Sequence, residues 1–333
     1  MSQPPWTPDS LAARLPFLRR RGRLTSAVRA FFVARGYTEV ETPYAVAVPG
    51  EEVHLGTFRT ERVSPHGERQ ALFLHTSPEF AMKRLLVAGA GPIFQFARVW
   101  RNGEGSDLHA PEFTMLEWYR PGADMASLIA ETQALLRAVL PPVVTCRGIT
   151  TDLAEAECLT MAEAFRRDVG ADLLGTADDA PALAAQAGVR LRDGEDWEDL
   201  FFRLLLDRVE PRIGQARPTF LTHWPAAQAA LARRDPADPR VAERFELFVC
   251  GMELANAFVE LTDAAEQRAR FEVDRARRAA LYGEAGWPLD EDFLAALAHG
   301  MPPAAGIALG FDRLAMIASG AQRIDQVLWL PTG

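Results

Sequence analysis

Two alternating runs around a Gly-rich turn, RVWRNGEGSDLHAPEFTMLEWYR over residues 98–120, restrict this chain's fold more than any other feature. Val99 and Trp100 close the first run, and Phe113, Met115, Leu116, Trp118 and Tyr119 make the second. NGEGSDLHAP lies between them, rich in glycine and acid and ending on proline. The span therefore reads as two antiparallel strands joined by a long loop. Arg101, at the end of the first strand, offers a planar fork of donors that suits a phosphate. Glu117, on the returning strand, is placed to hold an amine. One Arg–Glu pair across a sheet is more often a surface device, so the rest of the chain must decide.

Upstream, FLRRRGRLTSAVRAFFVAR (residues 17–35) carries Leu24, Val28, Phe31 and Phe32 at helical spacing, with Gly36 as a stop. YTEVETP then predicts a strand closing on Pro43. Ala71 to His75 predict another. Thr76 or Ser77 is the expected cap of the next helix, with Pro78 in its first position and Glu79 in its first turn. That capping set accounts for Ser-Pro-Glu by itself; the functional alternative puts Ser77 and Glu79 at the mouth of a pocket.

Residues 124–140 predict an amphipathic helix stopped by two prolines. Residues 141–218 read as a mainly helical insertion, with helices expected at 160–169, 180–187 and 196–209, in a single domain spanning 1–333. Strands return at PTFLTHWP and at RFELFVCGMELANAFVEL, where Phe245, Leu247 and Val249 alternate. Glu253 and Glu260 sit there among apolar neighbours, and such acids are costly to bury unless they meet a cation or an amine. Helices are expected over 263–282 and 290–299. In GIALGFDRLAMIASG, small residues at Gly306, Ala308 and Gly310 clear one strand face for a flat ligand. Arg313 then starts a helix above it.

The net charge of −9 argues against a broad nucleic-acid footprint. Three scattered cysteines fit neither a metal cage nor a disulfide framework and are expected to be reduced. No apolar run is long enough to span a bilayer, and the N-terminus has no export pattern. Lys83 is the only lysine.

Taken together, these segments resemble the catalytic core of the class II aminoacyl-tRNA synthetases. The Gly36–Pro43 segment is similar to that family's motif 1, the hairpin to motif 2 and GIALGFDR to motif 3. HTSPEFAMKRLLVAG, HAPEFTMLEWYR and GMELANAFVELTD narrow the resemblance to the lysyl branch. Motif 1 begins almost at once, which leaves no room for the anticodon-binding domain of about a hundred residues expected of a lysyl-tRNA synthetase. That layout resembles the elongation factor P–lysine ligase family.

The resemblance implies an α+β fold, an antiparallel β-sheet flanked by helices. It implies ATP and Mg²⁺ as cofactors, β-lysine or lysine as the acid activated, and elongation factor P as acceptor. It further implies a cytoplasmic homodimer formed through motif 1, without membrane contact or stable tRNA binding. Arg101 and Arg313 become the catalytic arginines on the phosphates. Asn102, Gly103, Glu104, His109, Ala110, Phe113, Glu253, Leu254 and Gly310 complete the ATP site. Ser77, Pro78, Glu79, Glu117, Tyr119, Asn256, Glu260 and Ala308 line the lysine pocket, and Glu253 with Glu260 holds Mg²⁺.

Two departures stand out. The usual Phe-Arg-x-Glu is Trp100-Arg101-Asn102-Gly103 here, with the acid displaced to Glu104. The family's His-Asn-Pro-Glu-Phe is His109-Ala110-Pro111-Glu112-Phe113. Alternatives are a truncated lysyl-tRNA synthetase charging tRNA or another amine, and a silent amino-acid-binding regulator. Retention of Arg101, Arg313, Glu253 and Glu260 argues against the latter.

Overall fold

The computed structural model describes residues 4–283 and 286–331. Its central sheet has the spatial order β1 (Thr38–Glu39), β5 (Ile93–Trp100), β6 (Glu112–Pro121), β13 (Ala304–Gly310), β12 (Met252–Val259), β11 (Val241–Val249), β10 (Thr219–Pro225) and β9 (Glu157–Thr160). The inner pairs are antiparallel, while β1 on β5 and β9 on β10 are parallel. A smaller sheet joins β2 (Ala45–Val46), β4 (Arg69–Leu74) and β3 (Phe58–Val63), and β7 (Val143–Cys146) pairs with β8 (Ile149–Asp152).

The period-2 alternation gives this sheet two unlike faces. Phe94, Leu116, Trp118, Ile307, Leu309, Ala255, Ala257, Phe245 and Leu247 belong to the main apolar core. The registers Gln95↔Glu117, Tyr119↔Gly306, Glu117↔Ala308, Ala308↔Asn256 and Asn256↔Glu246 line up polar and small residues on the opposite face. A bulge between β11 and β12 leaves Leu254 as the extra residue: Leu247 faces Ala255, but Phe248 faces Glu253. The extra residue reverses the alternation and turns Glu253 toward the polar face.

The core is closed by α1 (Pro8–Val33), α3 (Met125–Val139) and α9 (Phe311–Ser319). Helix α1 begins well before residue 17, because Thr7 caps it and Pro8 occupies its first turn. Asp124 and Ser127 form a reciprocal capping box on α3. On the other side lie α2 (Glu79–Val87), α7 (Ala264–Tyr282) and α8 (Glu291–Gly300), with Phe80, Phe271 and Phe293 packed together.

The insertion contains α4 (Met161–Asp168), α5 (Ala180–Ala187) and α6 (Trp197–Leu204), close to the expected spans, and a π-helical turn at Leu205–Val209 continues α6. It is less helical than expected at its start, where β7, β8 and β9 lie. Strand β9 pairs with β10, and the insertion's core includes Leu221, Trp224 and Phe248 of the sheet. The insertion is therefore built onto the sheet edge.

Asp312 and Arg313, adjacent at the start of α9, face different ways. Asp312 is buried in an ion pair with Arg21 of α1 and accepts a 2.8 Å bond from the Thr114 amide of β6. Arg21 also donates to the Thr114 hydroxyl at 2.9 Å. One ion pair thus ties three elements together. Removing one partner strands a buried charge, so Arg21→Ala is expected to cost about 3–5 kcal/mol in urea unfolding. A loss under about 1 kcal/mol, the level of a surface pair, would contradict this role.

Candidate active site

The polar face of the sheet opens into a cavity whose lining includes Ser77, Glu79, Arg101, His109, Ala110, Phe113, Glu253, Leu254, Asn256, Ala308, Gly310 and Arg313. Arg101 and Arg313, which the sequence placed on separate segments, thus share one chamber. Glu52, on the loop before β3, also lines it; sequence reasoning missed this residue, which belongs to no regular element.

Arg101 follows β5, and its backbone N–H donates to the Pro111 carbonyl at 3.0 Å. Its guanidinium lies 5.3 Å from the Phe113 ring centre, and its Nε is buried with no hydrogen-bond partner among the described residues. A buried guanidinium donor without an acceptor is costly, and an anionic ligand would satisfy it. Arg313 is anchored differently. It donates to the Glu253 carbonyl and to His109 Nε2, both at 2.6 Å. His109 Nε2 is then an acceptor, so its proton sits on Nδ1 and points at Ser106 Oγ, 2.8 Å away. Burial, reinforced by Arg313, holds the His109 pKa below its ordinary value, which fits that neutral ring. Glu104, displaced by the altered turn, reaches to 3.8 Å from His109. Asn102 and Gly103 line a separate shallow cleft, where Asn102 N donates to Gly56 O at 2.9 Å.

Beneath Ser77 lies a cluster of acids. The Ser77 hydroxyl donates to Glu117 at 2.6 Å, and the Tyr119 hydroxyl donates to the other oxygen at 2.9 Å. Helix α2 consequently starts at Glu79, one residue later than expected, with Pro78 at its cap position. Ser77 Oγ still accepts the Glu79 N–H at 3.0 Å. Burial pushes the Glu117 pKa up to about 8, with the Glu79 carboxylate adding to the effect. Glu260, also buried, meets Lys83 Nζ at 2.5 Å. Glu79, Glu117 and Glu260 with Lys83 amount to three carboxylates against one ammonium. Such a set lacks cations and fits a ligand bearing amines.

Glu253 and Glu260 do not form the expected metal pair. Extended backbone separates them, and seven residues of strand span roughly 23 Å, too far to chelate one ion. The acid that feels Glu253 most is Glu246 of β11: burial and then the Glu253 charge push its pKa up to about 8, against an ion pair with Arg244 at 2.6 Å. Glu253 lines the chamber, and each acid has an arginine neighbour, Arg313 at 3.6 Å from Glu253 and Arg244 at 2.6 Å from Glu246; two repelling carboxylates still fit a divalent cation. Glu246 was detectable in the sequence: it falls on the opposite face from the core residues Phe245 and Leu247.

This sheet, with two arginines lining one chamber and a cluster of acids beside it, is a class II synthetase core. The family model for class II tRNA synthetases (D, K and N) matches residues 13–333, and the chain belongs to that family. Within it, the chain is 46% identical over 328 residues to the elongation factor P–(R)-β-lysine ligase of Klebsiella pneumoniae subsp. pneumoniae, covering 97% of this chain and 96% of that protein. The ligase of the same name from Haemophilus influenzae is 45% identical over 328 residues, with the same coverage. That of Hamiltonella defensa is 44% identical over 331 residues, covering 98% and 97%.

Proposed function

We propose that this chain activates (R)-β-lysine with ATP and transfers it to a lysine of elongation factor P. The observation that carries the reading is a chamber lined both by Arg101, whose buried Nε awaits an anion, and by Ser77 and Glu79, which are bonded to Glu117 and Lys83 of the acid cluster. In the first step the amino-acid carboxylate attacks the α-phosphorus, an aminoacyl-adenylate forms and pyrophosphate leaves. Arg101 stabilises the charge that grows on the α-phosphate, and Arg313 keeps His109 and Glu253 in place around the triphosphate. Glu246 and Glu253 would hold Mg²⁺, which neutralises phosphate charge when bound. Glu79, Glu117, Tyr119 and Glu260 fix the two ammonium groups, while Asn256 and Ala308 set the chamber's width. In the second step a neutral amine of the acceptor attacks the acyl carbon, AMP leaves and an amide forms.

The Ala308 methyl, on the chamber floor, can discriminate between α- and β-amino acids at the scale of ~1–3 kcal/mol. We also propose a cytoplasmic homodimer, formed through α1 and β1. Among the described residues no helix is long and apolar enough to cross a membrane. The test is to incubate purified elongation factor P with this protein, ATP and either (R)-β-lysine or α-lysine, then weigh the product. A mass gain of one lysyl residue, larger in yield with (R)-β-lysine, is expected. An unmodified factor alongside charged tRNA would favour the truncated-synthetase alternative.

A further inference from the structure

Lys83 carries a role that the proposed chemistry does not by itself assign. It is the only lysine among 333 residues, and it is buried to 1% exposure on α2. Its Nζ lies 2.5 Å from Glu79 of the same helix and 2.5 Å from Glu260 beyond the end of β12. Two neighbouring rings, Phe258 at 5.6 Å and Phe293 at 6.0 Å, exclude water from the ammonium. Burying a lysine costs free energy unless its charge is matched, yet one acid would have sufficed for that. Here two are engaged, and they come from two different elements, α2 and the chain just after β12.

We propose that Lys83 is the positioning residue of the amine pocket, a cationic clamp that sets the orientation of Glu79 and Glu260 toward the substrate's ammonium groups. The inference rests on the reading of the pocket as a diamino-acid site. Charge supports it. With all three pocket acids ionised, Lys83 reduces the cluster from three negative charges to two, the number that a ligand with two ammonium groups neutralises. Burial by itself lowers the Lys83 pKa, but Glu260 and Glu79 more than offset this and hold it up at about 12. Burial raises the Glu260 pKa, and Lys83 opposes that rise more than any other group. The other titratable groups facing the clamp are Glu117 and Tyr119 of β6 and, beside Glu79, Glu52 on the loop before β3. Arg84, next in the chain, turns away to Asp290 and Asp292. Helix α8 presents the Phe293 ring.

The sign of the pH dependence follows. A carboxyl deprived of its cation keeps its proton to higher pH, and a protonated acid cannot pair with an ammonium. Amino-acid binding without Lys83 must therefore weaken most at low pH and recover as pH rises.

The test measures amino-acid-dependent ATP–pyrophosphate exchange in wild type, Lys83→Met and Lys83→Arg between about pH 6.5 and 8.5, where the substrate's own amines stay mostly charged. Methionine fits the apolar sleeve of the lysine stem. Lys83→Met is expected to raise the KM for (R)-β-lysine by about tenfold or more at the lowest pH. That penalty should shrink as pH rises, with the KM for ATP nearly unchanged. Lys83→Arg should retain the wild-type pH profile even if its bulk raises KM uniformly. An unchanged KM in Lys83→Met, or a rise equal at every pH, would overturn the clamp. So would an arginine variant whose KM for (R)-β-lysine, relative to wild type, rises most at the lowest pH, a result that decides the matter even if Lys83→Met does not fold. Absence of exchange in the wild type with any lysine would instead sink the diamino-acid reading itself.

Discussion

Replacing Arg101 with alanine is expected to lower ATP–pyrophosphate exchange by at least about 10²–10³-fold, the usual consequence of deleting a donor that meets transition-state charge. The fold should be indifferent. Backbone bonds from Trp100 to the His75 carbonyl and from Arg101 to the Pro111 carbonyl fix the end of β5, and neither involves the side chain. The guanidinium rests on Phe113 with its Nε unpartnered among the described residues, so its removal relieves a cost as well as losing a contact. Lysine should rescue poorly, because a point charge cannot reproduce a planar fork. Thermal melts and exchange measured on the same preparation check both halves. Wild-type exchange in Arg101→Ala would remove the phosphate site from this chamber and the proposed reaction with it.

What the sequence disclosed, and what it hid, follows the range of the interactions involved. The hairpin over residues 98–120 could be read because alternation and turn residues are local, and β5 and β6 pair with Trp100 opposite Glu112. The insertion helices were similarly legible, since Asp179 and Asp196 cap α5 and α6 through their own neighbours. The acid pairing was not. Glu253 and Glu260 looked like partners because both are glutamates on one apolar run, but distance along a strand grows by about 3.3 Å per residue. The charges they meet, Arg313 for Glu253 and Lys83 for Glu260, come from helices α9 and α2, and the bulge at Leu254 that aims Glu253 leaves no mark in composition. A close match to known motifs located the chamber without revealing which acid faces which.

The glycine-spaced strand gives the sharpest test of that chamber, and its meaning changed with the structure. Gly306, Ala308 and Gly310 were expected to clear a floor for a flat ligand, yet the three positions meet different surroundings. A Cβ on Gly310 would touch only Arg313, at an ordinary 3.7 Å, so Gly310→Ala should fold normally and act, if at all, on ATP. A Cβ on Gly306 would lie 2.3 Å from a Tyr119 ring carbon and 2.5 Å from Glu260 Oε1. Neither neighbour can yield freely, since Tyr119 is buried and bonded to Glu117, and Glu260 is held by Lys83. Gly306→Ala must then push the ring or the carboxylate out of place, at a stability cost of about 1–3 kcal/mol. The larger consequence falls on the amino acid, whose KM should rise by roughly a hundredfold or more as two ammonium contacts are misplaced. ATP binding, measured by calorimetry, should persist, because four strand residues put about 13 Å between Gly306 and the arginine end of the chamber. Equal losses for ATP and amino acid would mean that the sheet had been distorted as a whole. An unchanged amino-acid KM would mean that the ligand's amines never reach Tyr119 and Glu260, and the two-site chamber would have to be redrawn around Glu52 at its mouth.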